Sequence, residues 1–174
     1  SSKEKVERVV ERLRRVNEEV IRLIEKVSRE LEEVNKEVRE RIERSVKETE
    51  DILRTAASDK EEVDDVRRRT EELVRRLEKL SEDSKKRSKE SLEEVRRISK
   101  DTEDKVREIR KKVEAGKDVD TVVREIEKLM DDSKKKADRI VDENRELVKR
   151  SEEAVEELVR RDKKLAEDVF RKAE

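Results

Sequence analysis

Apolar residues return along this chain at steps of three and four from near one end to near the other, and most positions between them are charged. That spacing is the period of a helix with one buried face. The first stripe passes through Val6, Val9 or Val10, Leu13, Val20, Ile24, Val27, Leu31, Val38 and Ile42, and it predicts a helix over about 2–57. Within it Val34, Val38 and Ile42 give two steps of four in succession, a stutter that locally relaxes a left-handed supercoil. A second stripe, from Val63 and Val66 through Leu73 and Leu77 to Val95, Ile98, Val106, Ile109 and Val113, predicts a helix over about 59–115. A third, from Val122 or Val123 through Ile126, Met130, Ala137, Ile140 or Val141, Val155 and Leu158 to Val169, predicts a helix over about 119–173.

The punctuation agrees with these limits. Ser58 followed by Glu61 fits a capping box, in which each side chain satisfies a backbone N–H left free at a helix start. Gly116, the single glycine, stands where a helix needs a left-handed residue to stop, and Asp118 is placed to cap the next one. Both connections are short, so successive helices should lie antiparallel. The expected fold is all-α, a long antiparallel up-down-up three-helix bundle with coiled-coil-like packing, occupying residues 1–174 as one domain.

Polar residues interrupt the stripes in a patterned way. Between Leu80 and Leu92 there is no apolar side chain, yet Ser81, Ser84, Ser88 and Ser91 keep the helical rhythm. Folding the chain at its two bends pairs residue i of the first helix with about 115 minus i of the second, and residue j of the second with about 234 minus j of the third. Asn17 then shares a height with Ser99 or Thr102 and with Ser133, and Ser28 with Ser88 or Ser91 and with Asn144. Asn35 meets Ser81 or Ser84 and Ser151, while Ser45 or Thr49 meets Thr70 and Asp162. A buried polar group without a partner costs about 1–3 kcal/mol, so shared layers are where such groups can satisfy one another and penalise a slipped register.

Composition alone would suggest disorder, with 58% charged and 30% hydrophobic residues, and it is the periodicity that overrides it. The 50 basic and 51 acidic residues leave a net charge of -1, hence no global field to attract nucleic acid or a membrane surface. Basic triplets such as Arg67-Arg68-Arg69 and Lys134-Lys135-Lys136 spread around a helix and read as solvated faces. Phe170 is the one aromatic residue, too little for base stacking. No run approaches the roughly 20 apolar residues of a membrane span, and Ser1-Ser2-Lys3-Glu4 lacks the apolar core of a secretion signal, so a soluble chain without an address is expected. With no His, Cys, Tyr or Trp, acid-base work would fall to carboxylates and lysines; one glycine allows no phosphate loop. The expectation is therefore a non-enzyme with no catalytic residue, cofactor, metal or small-molecule substrate.

Taken together, the Glu/Lys/Arg-saturated faces, the Val/Leu/Ile stripe, the compact loops Ser58 to Glu61 and Gly116 to Asp118, and Asn17, Asn35 and Asn144 within the stripe resemble a de novo designed helical bundle of the hydrogen-bond-network type. The resemblance spans all three predicted helices and implies that polar networks replace part of the core to fix pairing. The serine-rich middle departs from a fully apolar designed core. Natural three-helix repeats of the spectrin type share the topology but usually carry aromatic core features missing here. Two functions stand as expectations. One is a structural scaffold whose buried polar layers specify helix pairing, with no partner needed for folding. The other is an open three-helix platform for a partner helix or a homo-oligomer, suggested by adjacent apolar pairs such as Val9-Val10, Val20-Ile21, Leu23-Ile24 and Val169-Phe170, which widen the stripe.

Overall fold

Three helices account for the fold. The structure, a computed structural model, describes residues 1–56 and 59–173, and the side chains of Ala56, Val169, Phe170, Lys172 and Ala173 are outside the description. Helix α1 (Ser2–Ala56), helix α2 (Lys60–Glu114) and helix α3 (Val119–Ala173) are each 55 residues long. They run up, down and up, each packs against the other two, and there is no strand among the described residues.

Each end has a local cause. The Ser1 hydroxyl accepts the Glu4 N–H at 3.4 Å and so caps α1. At α2 the capping residue is Asp59, whose Oδ1 accepts the Glu61 N–H at 3.0 Å and whose carbonyl accepts that of Val63 at 3.1 Å. The helix therefore begins one residue later than expected; Glu61 supplies a capped N–H, and Ser58 lies outside the described residues. At the other end of α2, Gly116 sits at φ 87, with its N–H bonded to the Val113 carbonyl at 3.1 Å and the Lys117 N–H bonded to that of Lys112 at 3.0 Å. This Schellman arrangement satisfies carbonyls the helix would leave open, and a side chain there would be strained by φ alone. Asp118 caps α3, its Oδ2 accepting the Thr121 N–H at 3.3 Å and hydroxyl at 3.0 Å.

The chain divides into two compact units, each built from one segment of every helix. The first combines Ser1–Arg29 with Ser88–Arg145, the second Glu30–Arg87 with Glu146–Glu174. In the first unit Val6, Val10, Leu13, Val106, Val122 and Ile126 form one apolar cluster, and Ile24, Ile98 and Ala137 belong to another. In the second, Val38, Ile42, Leu77, Val155 and Leu158 pack together, with Leu53 and Val66 in a smaller group. Burying a side chain of this size is worth about 1.5–3 kcal/mol, which explains why a chain so rich in charge folds at all.

Arginine forks between α1 and α2 mark the register at the edges of these cores. Arg110 grips Glu7 at 2.9 Å through both nitrogens, Arg14 grips Glu103 at 3.2 Å, and Arg67 holds Glu50 at 2.9 and 3.0 Å. In each pair the residue numbers add to 117, the signature of one antiparallel register in both units. The stutter falls earlier than expected. Leu31 is followed on the buried stripe by Asn35, not Val34, so the two fours are Val27 to Leu31 to Asn35, and the rhythm is regular from there through Val38 and Ile42.

Candidate functional site

Polar side chains lie inside both units, and among the described residues they are the chemistry the core offers. In the first unit Asn17, 4% exposed, donates from Nδ2 to Thr102 Oγ1 at 2.5 Å, linking α1 to α2. Two expectations for this layer are corrected. Ser99 is exposed, because Ile98 and Thr102 occupy the inward positions of α2 and a residue one step past Ile98 is turned about 100° away. Thr102 and Ser133 are half-buried, on the rim of the layer.

Farther along the same unit, Asn144 is fully enclosed and donates from Nδ2 to Ser91 Oγ at 2.9 Å and to the Ile140 carbonyl at 2.8 Å. The Ser88 hydroxyl donates to the Ser28 carbonyl at 3.3 Å, so α1, α2 and α3 all contribute. The Ser28 hydroxyl and Asn144 Oδ1 meet no protein partner.

The second unit holds two layers of different quality. Asn35, Ser81, Ser84 and Ser151 are all buried, but their one bond is from Asn35 Nδ2 to the Ser81 carbonyl at 3.5 Å, the outer limit of the interaction. Asn35 Oδ1 and the hydroxyls of Ser81, Ser84 and Ser151 find no protein partner.

The second layer centres on Asp162, only 1% exposed. Ser45 Oγ on α1 donates to its Oδ2 and Thr70 Oγ1 on α2 to its Oδ1, both at 3.2 Å, and Thr49 on α1 is buried in the same layer. Burial raises the Asp162 carboxyl above its ordinary value, and the hydroxyls of Thr70, Ser45 and Thr49 oppose that rise. Hydroxyls are what a buried carboxylate needs here: each can turn its proton inward, and a short side chain fits between packed helices.

On the surface the forks supply charge of the ordinary kind. The Glu7 carboxyl is held below its usual range, chiefly by the hydrogen bond from Arg110. Among the described residues no three carboxylates converge to hold a metal ion, and no helix is long and apolar enough to cross a membrane. What these layers can do is satisfy or frustrate packing, according to which helices meet at which height.

With fold and layers in hand, the class is an antiparallel three-helix bundle with polar strata in its core. Comparison with protein-family models, with curated proteins and with solved structures finds no match to this chain.

Proposed function

We propose that this chain is a designed, non-enzymatic structural scaffold in which the buried polar layers specify how its helices pair. The observation that carries the reading is the Asp162 layer, where a carboxylate of α3 accepts hydroxyls from both α1 and α2. Sliding α3 by one helical turn would put Leu158 or Ala166 opposite those hydroxyls and leave the carboxylate against hydrocarbon. An uncompensated buried charge costs several kcal/mol, whereas apolar residues tolerate exchange with one another, so the layer discriminates among registers more strongly than leucine does. The bonds from Asn17 to Thr102 and from Asn144 to Ser91 add the same preference at other heights.

The test is to replace the layer with hydrocarbon: Asp162→Leu together with Ser45→Ala, Thr49→Val and Thr70→Val. The expected product keeps its helix content but gives several assemblies by native mass spectrometry and extra amide signals by NMR. One species with an unchanged amide spectrum would end the scaffold-specification reading.

A further inference from the structure

Helix α3 is held unevenly along its length. From Val119 to Arg145, in the first unit, it buries Val122, Ile126, Met130, Ala137, Ile140 and Val141. From Glu146 onward, in the second, the buried apolar residues among those described are Val155, Leu158 and Ala166, the last contributing only a methyl group. The other inward positions of that segment are Ser151, whose hydroxyl meets no protein partner, and Asp162. Burial of hydrocarbon is what keeps a helix formed and seated on its neighbours, so the segment from Glu146 is the less firmly held part.

Space and charge point the same way. Hollows of about 300 and 430 Å³ lie between this segment and α2, and others of about 500 and 240 Å³ between it and α1. Leu158 lines one of the former and Ala166 one of the latter, so even its buried anchors border a gap and forfeit part of their dispersion attraction. Arg150, Arg161 and Arg171 pair with Glu146, Glu157 and Asp168 of the same helix. The start of α1, by contrast, reaches across to other helices: Glu7 and Arg14 are forked to α2, and Lys5 pairs with Asp120 of α3 at 3.1 Å. Within its unit the segment Glu146–Glu174 is not continuous in sequence with Glu30–Arg87, so it can melt away without breaking the α1–α2 pair beneath it.

We infer that the segment of α3 from Glu146 is a displaceable strap, and that the α1–α2 face it covers, built on Val38, Ile42 and Leu77, is an interaction surface for an amphipathic helix supplied in trans. The occupant's chemistry follows from what the strap itself presents: a valine and leucine ridge interrupted by one carboxylate, at the height where Ser45 and Thr70 donate. A ridge apolar throughout would leave those hydroxyls facing hydrocarbon. This preference for an acid rests on the pairing role proposed for the Asp162 layer, whereas the opening of the strap does not.

Hydrogen exchange on the intact chain tests the opening. Residues 151–166 and 9–24 stand equally far from the outer ends of α3 and α1, so fraying alone treats them alike. The α3 set is expected to exchange about tenfold faster or more, and equal or slower exchange overturns the strap while leaving the pairing role of the layer standing. Recognition is read by fluorescence anisotropy with a labelled peptide of residues 146–174. It should bind the chain carrying Leu158→Asp, whose own strap is weakened, about tenfold tighter or more than it binds the parent. A second peptide of the same composition, with Leu158→Asp and Asp162→Leu, moves the carboxylate by one turn and should bind about tenfold more weakly or worse. Fast exchange with equal binding of the two peptides overturns the recognition, and so does a folded Leu158→Asp chain that binds neither. Should Leu158→Asp lose its helix content by circular dichroism, exchange in the parent still decides.

Discussion

The Asp162 and Asn35 layers occupy the same unit and draw on all three helices, yet they solve the burial of polar groups differently. Around Asp162 a single strong acceptor gathers hydroxyls that have nothing else to do. Around Asn35 four polar residues meet without a common acceptor, and most of their polar atoms are left over. Side-chain chemistry explains the contrast. A carboxylate has about four lone-pair sites and no need of a donor, so the hydroxyls of Ser45 and Thr70 are satisfied at once and sites remain for Thr49. A set of hydroxyls and one amide must form a closed chain in which every donor finds its own acceptor, and serine is too short to bridge between helices unless backbones come close. Enclosing a charge is thus the better-satisfied choice here, provided its partners are present.

The comparison breaks most visibly if those partners are removed. Ser45→Ala with Thr70→Val leaves Asp162 buried with one hydroxyl, and hydrogen bonds to a charged group are worth about 1.5–3 kcal/mol each. The double variant should therefore lose about 3 kcal/mol or more at neutral pH by urea denaturation. A loss below about 1 kcal/mol would mean that Asp162 does not depend on this layer for its charge.

Corresponding changes in the Asn35 layer should act in the opposite direction. Ser84→Ala and Ser151→Ala each remove a buried hydroxyl that bonds nothing in the protein, and alanine is also the better helix former. Together they should stabilise the fold by about 1–2 kcal/mol. Destabilisation in the same urea experiment would show that these hydroxyls are satisfied in solution, and the contrast between the layers would vanish.

Much of this is legible in the order of residues alone. The three- and four-residue rhythm gives three helices because only one stripe of each is apolar, and Gly116 and Asp118 end and begin helices for reasons local to their own backbone. Heights were readable too: with short bends, counting back from them puts Thr49, Thr70 and Asp162 together. What counting does not give is rotation. Ser99 and Thr102 are three residues apart, and whether one or the other faces Asn17 depends on how α2 is turned by packing of Val95, Ile98 and Val106. The same limit moved the stutter to Asn35, since Val34 and Asn35 are neighbours and the stripe's phase there is set by contacts from the other helices. Bonding inside a layer is further still from the sequence, because it turns on differences of an ångström between side chains that are all of plausible type. The capping role of Asp59 was missed for a simpler reason: Ser58 and Asp59 are both good caps, and the box pattern favoured the first.

The finest discriminator between the two layers is pH, because only one contains a titratable group. Asp162 has its carboxyl raised by burial, so the folded state holds the proton over a range in which the unfolded chain has already released it. Its contribution to stability is fully present below the unfolded value, near 3.8, and is lost as pH climbs through the raised folded value. Carboxylates paired at the surface work in the other sense: Glu7, held low by Arg110, contributes above its unfolded value near 4.5 and loses that contribution as pH falls. The total curve mixes both signs, so the difference between the parent and Asp162→Asn isolates the layer. Asparagine keeps the shape and an acceptor but cannot ionise. The parent should lose stability relative to Asp162→Asn as pH rises from below 3.8 through the raised value, and the gap should stay constant above it. Ser84→Ala should run parallel to the parent at every pH, since its layer has nothing to titrate. A difference curve of opposite slope would mean that hydroxyl donation outweighs burial and holds the Asp162 carboxyl low, which reverses the physical account of why that layer is satisfied.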